Sequence, residues 1–167
     1  MIKGLEAGFL KVYFDNCCYN RLFDDRSNIK NYLEREAVLI VMQKAFEKEL
    51  EIIGSDILEI EISKIKNEDK RNDIEGVYQA LIADSVKADS EIKERAVQIR
   101  EASNIRSFDS LHLASAEAGA DVLLTTDMKF LKGCRKIETR IKAENPVEFV
   151  MEVFSYDDAD NEDCKNQ

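Results

Sequence analysis

A chain of 167 residues amounts to one domain, long enough to close a hydrophobic core without disulfides or a structural metal. Its 24 basic and 34 acidic side chains leave a net charge of −10, which excludes a broad basic face for indiscriminate nucleic-acid binding. No run reaches the ~18 apolar residues of a membrane span, and the acid-bearing N-terminus is not a secretion signal, so a cytoplasmic setting is expected.

Leu10-Lys-Val-Tyr-Phe14 is a β-branched and aromatic run that stops at Asp15-Asn16, as a strand ending on a polar turn does. Helical spacing over roughly 28–50, with Val38–Met42 apolar nearly all round, predicts a helix sandwiched between other elements. Glu51–Gly54 reads as a short strand, after which Ser55 or Asp56 caps a helix carrying Ile57, Leu58, Ile60, Ile62 and Ile65. Residues 67–89 are charged but apolar at Ile74, Val77, Leu81 and Ile82, the pattern of one surface helix. Ile92, Ala96 and Ile99 mark another. Ser107 opens a helix with the stripe Phe108, Leu111, Ser115 and Ala118, which Gly119 ends through a left-handed exit.

Asp121–Thr125 is an apolar strand, followed by a short helix through Phe130 and Leu131. Asn145-Pro146-Val147-Glu148 supplies a cap, a first-turn proline and a returning glutamate for a last helix. The segment 155–167 carries five acids and reads as a disordered tail, leaving 1–154 as a single domain. Strands alternating with helices imply a three-layer α/β/α sandwich around a parallel sheet.

In such sheets the ligand sits beyond the carboxyl ends of the strands. Asp15 ends the first strand and Asp127 follows the late one, while Asp109 lies in the first turn of the helix from Ser107. Glu61 is one and a half turns into the helix from Ser55, with Glu59 two residues away as an alternative. Each has a plain structural role open to it, as a turn former, a helix cap or a complement to the helix dipole. Together, four carboxylates around one crevice repel one another and call for a hard divalent cation. His112 is three residues after Asp109 on the same helical face, where hydrogen bonding to a carboxylate is its expected role. Four cysteines without a Cys-x-x-Cys pair, beside a single histidine, make a zinc site implausible. Cys17-Cys18 are expected to pack beneath the crevice.

The phrases Lys11-Val-Tyr-Phe-Asp15-Asn16, Ser55-Asp-Ile-Leu-Glu-Ile-Glu61, Ser107-Phe-Asp109-Ser-Leu-His-Leu-Ala-Ser-Ala116 and Leu123-Leu-Thr-Thr-Asp127-Met-Lys-Phe130 resemble those of a PIN domain, over about residues 10–153. The resemblance implies a Mg²⁺- or Mn²⁺-dependent ribonuclease similar to the VapC-like toxins of bacterial toxin–antitoxin pairs. It implies Asp15, Glu61, Asp109 and Asp127 as catalytic metal ligands, with Asn16 and Thr125 supporting them, and favours Glu61 because it lies six residues after Ser55. Bound metal would activate a water for attack on an RNA phosphodiester, leaving a 5′-phosphate and needing no covalent nucleophile. Arg21 and Arg26 in the loop after the first strand, Arg106 before Asp109, and Lys129 and Lys132 after Asp127 flank the acids and are candidates for gripping phosphates. Likeness to toxins implies an antitoxin partner, and family habit together with the apolar helix at 28–50 suggests a homodimer.

Three other readings compete. A haloacid-dehalogenase-like phosphatase needs a second aspartate two residues after the first, where this chain has Cys17. A receiver-like phosphoacceptor needs a paired acid and a late lysine that are not evident. A catalytically idle PIN-like module that binds RNA or protein would retain the fold without needing all four acids.

Overall fold

Val12, Tyr13 and Phe14 are fully buried, which places the first strand, β1 (Leu10–Phe14), at the centre of the sheet. A computed structural model describes residues 8–154; the acidic segment 155–167 lies outside them. In chain order β1 is followed by α1 (Asn16–Arg21), α2 (Ile29–Phe46), β2 (Leu50–Ser55), α3 (Asp56–Ser63), α4 (Glu68–Leu81) and β3 (Ile82–Val86). Then come α5 (Ser90–Ala102), α6 (Ser107–Gly119), β4 (Val122–Leu124), α7 (Met128–Cys134), β5 (Lys142–Glu144) and α8 (Pro146–Val153).

The five strands are parallel throughout and ordered β3-β2-β1-β4-β5. The chain builds outward from β1 through β2 to β3, then crosses to the other side of β1 for β4 and β5. The switch point therefore falls between β1 and β4, where ligands of open α/β sheets bind. Receiver-like doubly wound folds are ordered 2-1-3-4-5, so this order excludes them. One helical layer has α6 against β2, β3 and β4 with α5 packed on α6; in the other, α2 packs against α1, α4, α8 and β2. The expected α/β/α sandwich is the observed one.

Several local expectations need correction. The helix predicted over 28–50 ends at Phe46, because Lys48 takes a left-handed conformation (φ 61°). The amides of Lys48 and Glu49 then return to the carbonyls of Ala45 and Lys44 at 3.0 and 2.9 Å, closing the helix without a glycine. That helix is also not covered all round: Ile29, Tyr32, Leu33 and Ile40 are exposed.

The helix expected over 67–89 stops at Leu81, and residues 82–86 become β3 instead. β3 is an edge strand whose Ala83, Asp84 and Ser85 face solvent, so it carries little apolar signal. Arg21, expected in a loop, ends the short helix α1. Gly119 shows no left-handed φ; it is small because a Cβ there would collide with Val86 Cγ2. Residues 112–116 of α6 are buried on all sides between the sheet and α5, while Ala118 of the expected stripe is exposed. Asn145 caps α8 as expected, but Glu148 bonds Arg135 Nη2 at 3.0 Å rather than returning to the cap.

Candidate functional site

Asp15, Asn16, Glu61, Asp109 and Asp127 line one open cleft of about 270 Å³, together with Cys17, Asn20, Arg21, Asp24 and Arg106. Each acid arrives by a separate local device. Asp15 immediately follows β1, and its amide donates to the Leu124 carbonyl at 2.9 Å, which ties it to the neighbouring strand β4. Glu61 rides on α3, whose first turn is fixed by Ser55 Oγ accepting from the Leu58 amide at 3.1 Å. Glu59, the alternative, is exposed and turned toward the Tyr78 hydroxyl at 3.4 Å. Two residues along a helix rotate a side chain by about 200°, so only one of the pair can face the cleft.

Asp127 divides its two oxygens. Oδ1 caps α7 by accepting from the amides of Lys129 and Phe130 at 2.9 and 3.1 Å, and Oδ2 faces Arg106. The capping role weighed for this aspartate is real, and it still leaves one oxygen for the cleft. Thr125 is buried; its Oγ1 donates to Asp15 Oδ2 at 2.9 Å and accepts from the Asp127 amide at 3.1 Å. One hydroxyl thereby holds two of the acids in register.

The four carboxylates form two pairs within the cleft. Asp109 Oδ2 and Asp127 Oδ2 each accept from Arg106, through Nε and Nη2, both at 3.0 Å. Burial pushes the Asp109 carboxyl above its ordinary range, with the charge of Asp15 adding to the shift and Arg106 opposing it. Arg106 is the cation that offsets this half of the cleft, and 72% of its side chain is exposed.

The other pair is Asp15 and Glu61, joined by His112. Its Nε2 lies 2.9 Å from Glu61 Oε2 and 4.0 Å from Asp15 Oδ1, and its ring is fully buried. An ionised Glu61 only accepts, so Nε2 carries the proton. In the neutral ring Nδ1 accepts from the Tyr13 hydroxyl at 2.7 Å, and Tyr13 accepts from Ser55 at 2.6 Å. Burial raises the Tyr13 phenol and keeps it protonated. For His112 burial favours the neutral ring, but the bond to Glu61 and the charges of Asp15, Glu61 and Asp109 outweigh it and raise the imidazole.

The donor set fits a divalent cation. Asp15, Glu61 and His112 present ligand atoms that all lie within 4.8 Å of one another. Asn16 Oδ1 is buried at the same cleft with no hydrogen-bond partner among the described residues. Carboxylate and amide oxygens suit Mg²⁺ or Mn²⁺, while His112, its Nε2 proton given to Glu61 and its Nδ1 to Tyr13, orients Glu61 rather than supplying a ligand atom.

Two expectations differ from the structure. Cys18 is buried, but Cys17 lies at the cleft rather than beneath it: its Sγ donates to Asp15 Oδ2 at 3.2 Å and accepts from the Thr126 amide at 3.2 Å. Nothing in the adjacent Cys-Cys pair distinguishes the two residues; the helix beginning at Asn16 does. Lys129 lines a neighbouring cleft, and Arg21 lines the acidic one with Nη1 held by Asp24 and Asn31 at 2.6 and 3.0 Å and Nε 2.8 Å from buried Glu34.

Comparison with known proteins agrees with this architecture. The sequence model described as "PIN domain" matches residues 12–136. A comparison with curated protein sequences gives no match. Among solved structures the chain is similar to VapBC2 from Rickettsia felis bound to a promoter DNA fragment, with a TM-score of 0.54 and 16% identity over 81% of this chain and 98% of that one. It is similar to FitAcB from Neisseria gonorrhoeae, with a TM-score of 0.52 and 16% identity over 81% and 97% of the two chains. A toxin–antitoxin complex from Klebsiella pneumoniae gives a TM-score of 0.51 and 18% identity over 78% and 98%.

Proposed function

This chain belongs to the PIN domain family, and we propose that it is a Mg²⁺- or Mn²⁺-dependent endoribonuclease, the toxin of a toxin–antitoxin pair. The observation that carries the reading is the meeting of Asp15, Glu61, Asp109 and Asp127, from four separate elements, in one cleft at the sheet's switch point. Such a cleft gathers more negative charge than Arg106 and His112 offset. Asp15 and Glu61, with the Asn16 carbonyl, would hold one cation, and Asp109 and Asp127 would engage a cation once Arg106 withdraws. Bound there, a divalent ion supplies charge neutralisation at the phosphate and a water of lowered pKa.

The chain's own groups do the positioning. Thr125 sets the spacing of Asp15 and Asp127, and His112 fixes the rotamer of Glu61 from behind. Arg106, exposed at the mouth, can trade its two aspartates for a phosphate of the substrate. Arg21 and Lys129 stand further out as phosphate contacts. No helix of the described residues is long and apolar enough to cross a membrane, which accords with a cytoplasmic enzyme. One of the similar structures, from Klebsiella pneumoniae, is a toxin–antitoxin complex, which supports an antitoxin partner here. The exposed Ile29, Tyr32 and Leu33 on α2 support a homodimer.

The test is cleavage of single-stranded RNA in Mn²⁺ or Mg²⁺, with EDTA and Asp15→Asn protein alongside. Cleavage that requires metal and vanishes in Asp15→Asn is expected. Binding without cleavage by the wild-type chain would favour the idle module, and cleavage that persists in Asp15→Asn would overturn the site.

A further inference from the structure

A second cleft, of about 550 Å³, runs beside the acidic one. Its walls are Lys129, Lys132, Gly133 and Lys136 on one side and Glu101, Ala102, Ser103 and Asn104 on the other. We propose that this cleft is the track for the backbone of single-stranded RNA on one side of the scissile bond, with Lys129, Lys132 and Lys136 as its phosphate contacts. The inference rests on the ribonuclease reading and deepens it.

Both walls lead into the acidic cleft. The lysine wall begins at Asp127, whose Oδ1 fixes the first amides of α7 and whose Oδ2 faces the acids. The facing wall continues through Ile105 to Arg106, which bridges Asp109 and Asp127. The two clefts thus adjoin in the chain, Asn104 standing two residues before Arg106 and Lys129 two after Asp127. α7 packs on buried Ile105, so close that a Cβ on Gly133 would lie 2.6 Å from Ile105 Cγ1.

The spacing of the lysines, at i, i+3 and i+7, puts them on one face of α7 and of the turn that prolongs it through the Lys136 amide to the Gly133 carbonyl. They extend about 10 Å along the helix axis, a length suited to consecutive phosphates. All three are exposed, and none pairs with a carboxylate among the described residues. Among the described residues that line this cleft, Glu101 is the one acid. In a chain of net charge −10, three adjacent cations leading away from a nuclease cleft are the feature a polyanion would find. An extended single strand with a phosphate at each step matches this row.

The test uses the full chain carrying Asp15→Asn, so that labelled RNA is bound and not consumed, in the presence of Mn²⁺. Adding Lys132→Glu and Lys136→Glu is expected to weaken binding at least ten-fold at low salt. The slope of log affinity against log salt should fall by about 1.4, or about 0.7 per lost phosphate contact on a single strand. A charge-matched control, Lys66→Glu with Lys93→Glu on other surfaces, is expected to change the slope by less than half as much. Equal losses in both double variants, or unchanged binding in the cleft variant, would overturn the track while leaving RNA cleavage by the wild type intact. Displacement of RNA by poly-glutamate as readily as by unlabelled RNA would assign the cleft to an acidic peptide and overturn it too. A wild-type chain that cleaves no RNA in any divalent metal would remove the ribonuclease reading itself, and the track with it.

Discussion

Arg106→Gln separates two quantities that usually move together. The guanidinium bridges Asp109 and Asp127 at 3.0 Å each, but its side chain is 72% exposed, so each contact is worth only about 0–1 kcal/mol. Removing it should destabilise the fold in EDTA by less than about 2 kcal/mol. The effect on metal binding has the opposite sign. A divalent ion reaching both aspartates must first displace these contacts, at about 1 kcal/mol, and then tolerate a nearby like charge. A unit charge about 4 Å away interacts with a monovalent ion by about 1 kcal/mol in a water-like dielectric, and with a divalent one by about twice that. Glutamine removes both penalties, about 3 kcal/mol together, so Mn²⁺ should bind on the order of 100-fold more tightly. Calorimetric titration of Mn²⁺ into both proteins at one pH and ionic strength, beside urea melts in EDTA, measures the two effects. Unchanged or weaker Mn²⁺ binding in Arg106→Gln would refute the idea that this arginine holds the place of a cation. Cleavage adds a further check, since losing a phosphate contact raises KM even as metal affinity improves.

Other substitutions probe the supporting structure. His112→Leu deletes the bond to Glu61 and should cost about 1.5–3 kcal/mol in EDTA, the worth of a hydrogen bond to a charged group. Because the folded imidazole is raised above its ordinary 6.5, its stabilisation is complete below about pH 6.5 and is lost as pH rises through the folded value. The variant's deficit should therefore be larger at pH 5.5 than at pH 8.5, and a deficit independent of pH would show that packing alone is lost. Gly54→Ala places a Cβ against the Tyr78 hydroxyl and 2.8 Å from its Cζ, which should cost about 1–3 kcal/mol in chemical denaturation. Lys48→Gly relieves the left-handed exit of α2 and should raise stability by about 0.5–1 kcal/mol, read as a higher urea midpoint.

Legibility in the sequence followed the strength of local signals. β1, β4 and the helix opened by Ser107 are long apolar or strongly patterned runs, and each ends or begins at an acid that the parallel topology carries to one edge. β3 and β5 left no such trace. Ala83-Asp84-Ser85 and Lys142-Ala-Glu144 are paired edge segments whose strand character comes from backbone bonds to β2 and β4, not from an apolar run, and the one buried side chain among them is the charged Glu144. β5 nonetheless matters at the site, since the Glu144 carbonyl accepts from the Thr125 amide at 3.0 Å and so helps fix the hydroxyl between Asp15 and Asp127.

The same division holds within the site. Sequence position marks which acids stand after strands and in first helical turns, because those places are set by the chain itself. It does not mark how the acids pair, because that depends on side chains converging from remote positions: Arg106 across 21 residues to Asp127, and His112 across 51 to Glu61. Both partners donate hydrogen bonds into a crevice that is otherwise acidic, one an exposed and displaceable cation, the other a buried imidazole anchored to Tyr13. The arrangement therefore has a fixed half and a yielding half. A cation should settle first at Asp15 and at Glu61, which His112 holds in place, and engage Asp109 and Asp127 only as Arg106 lets go.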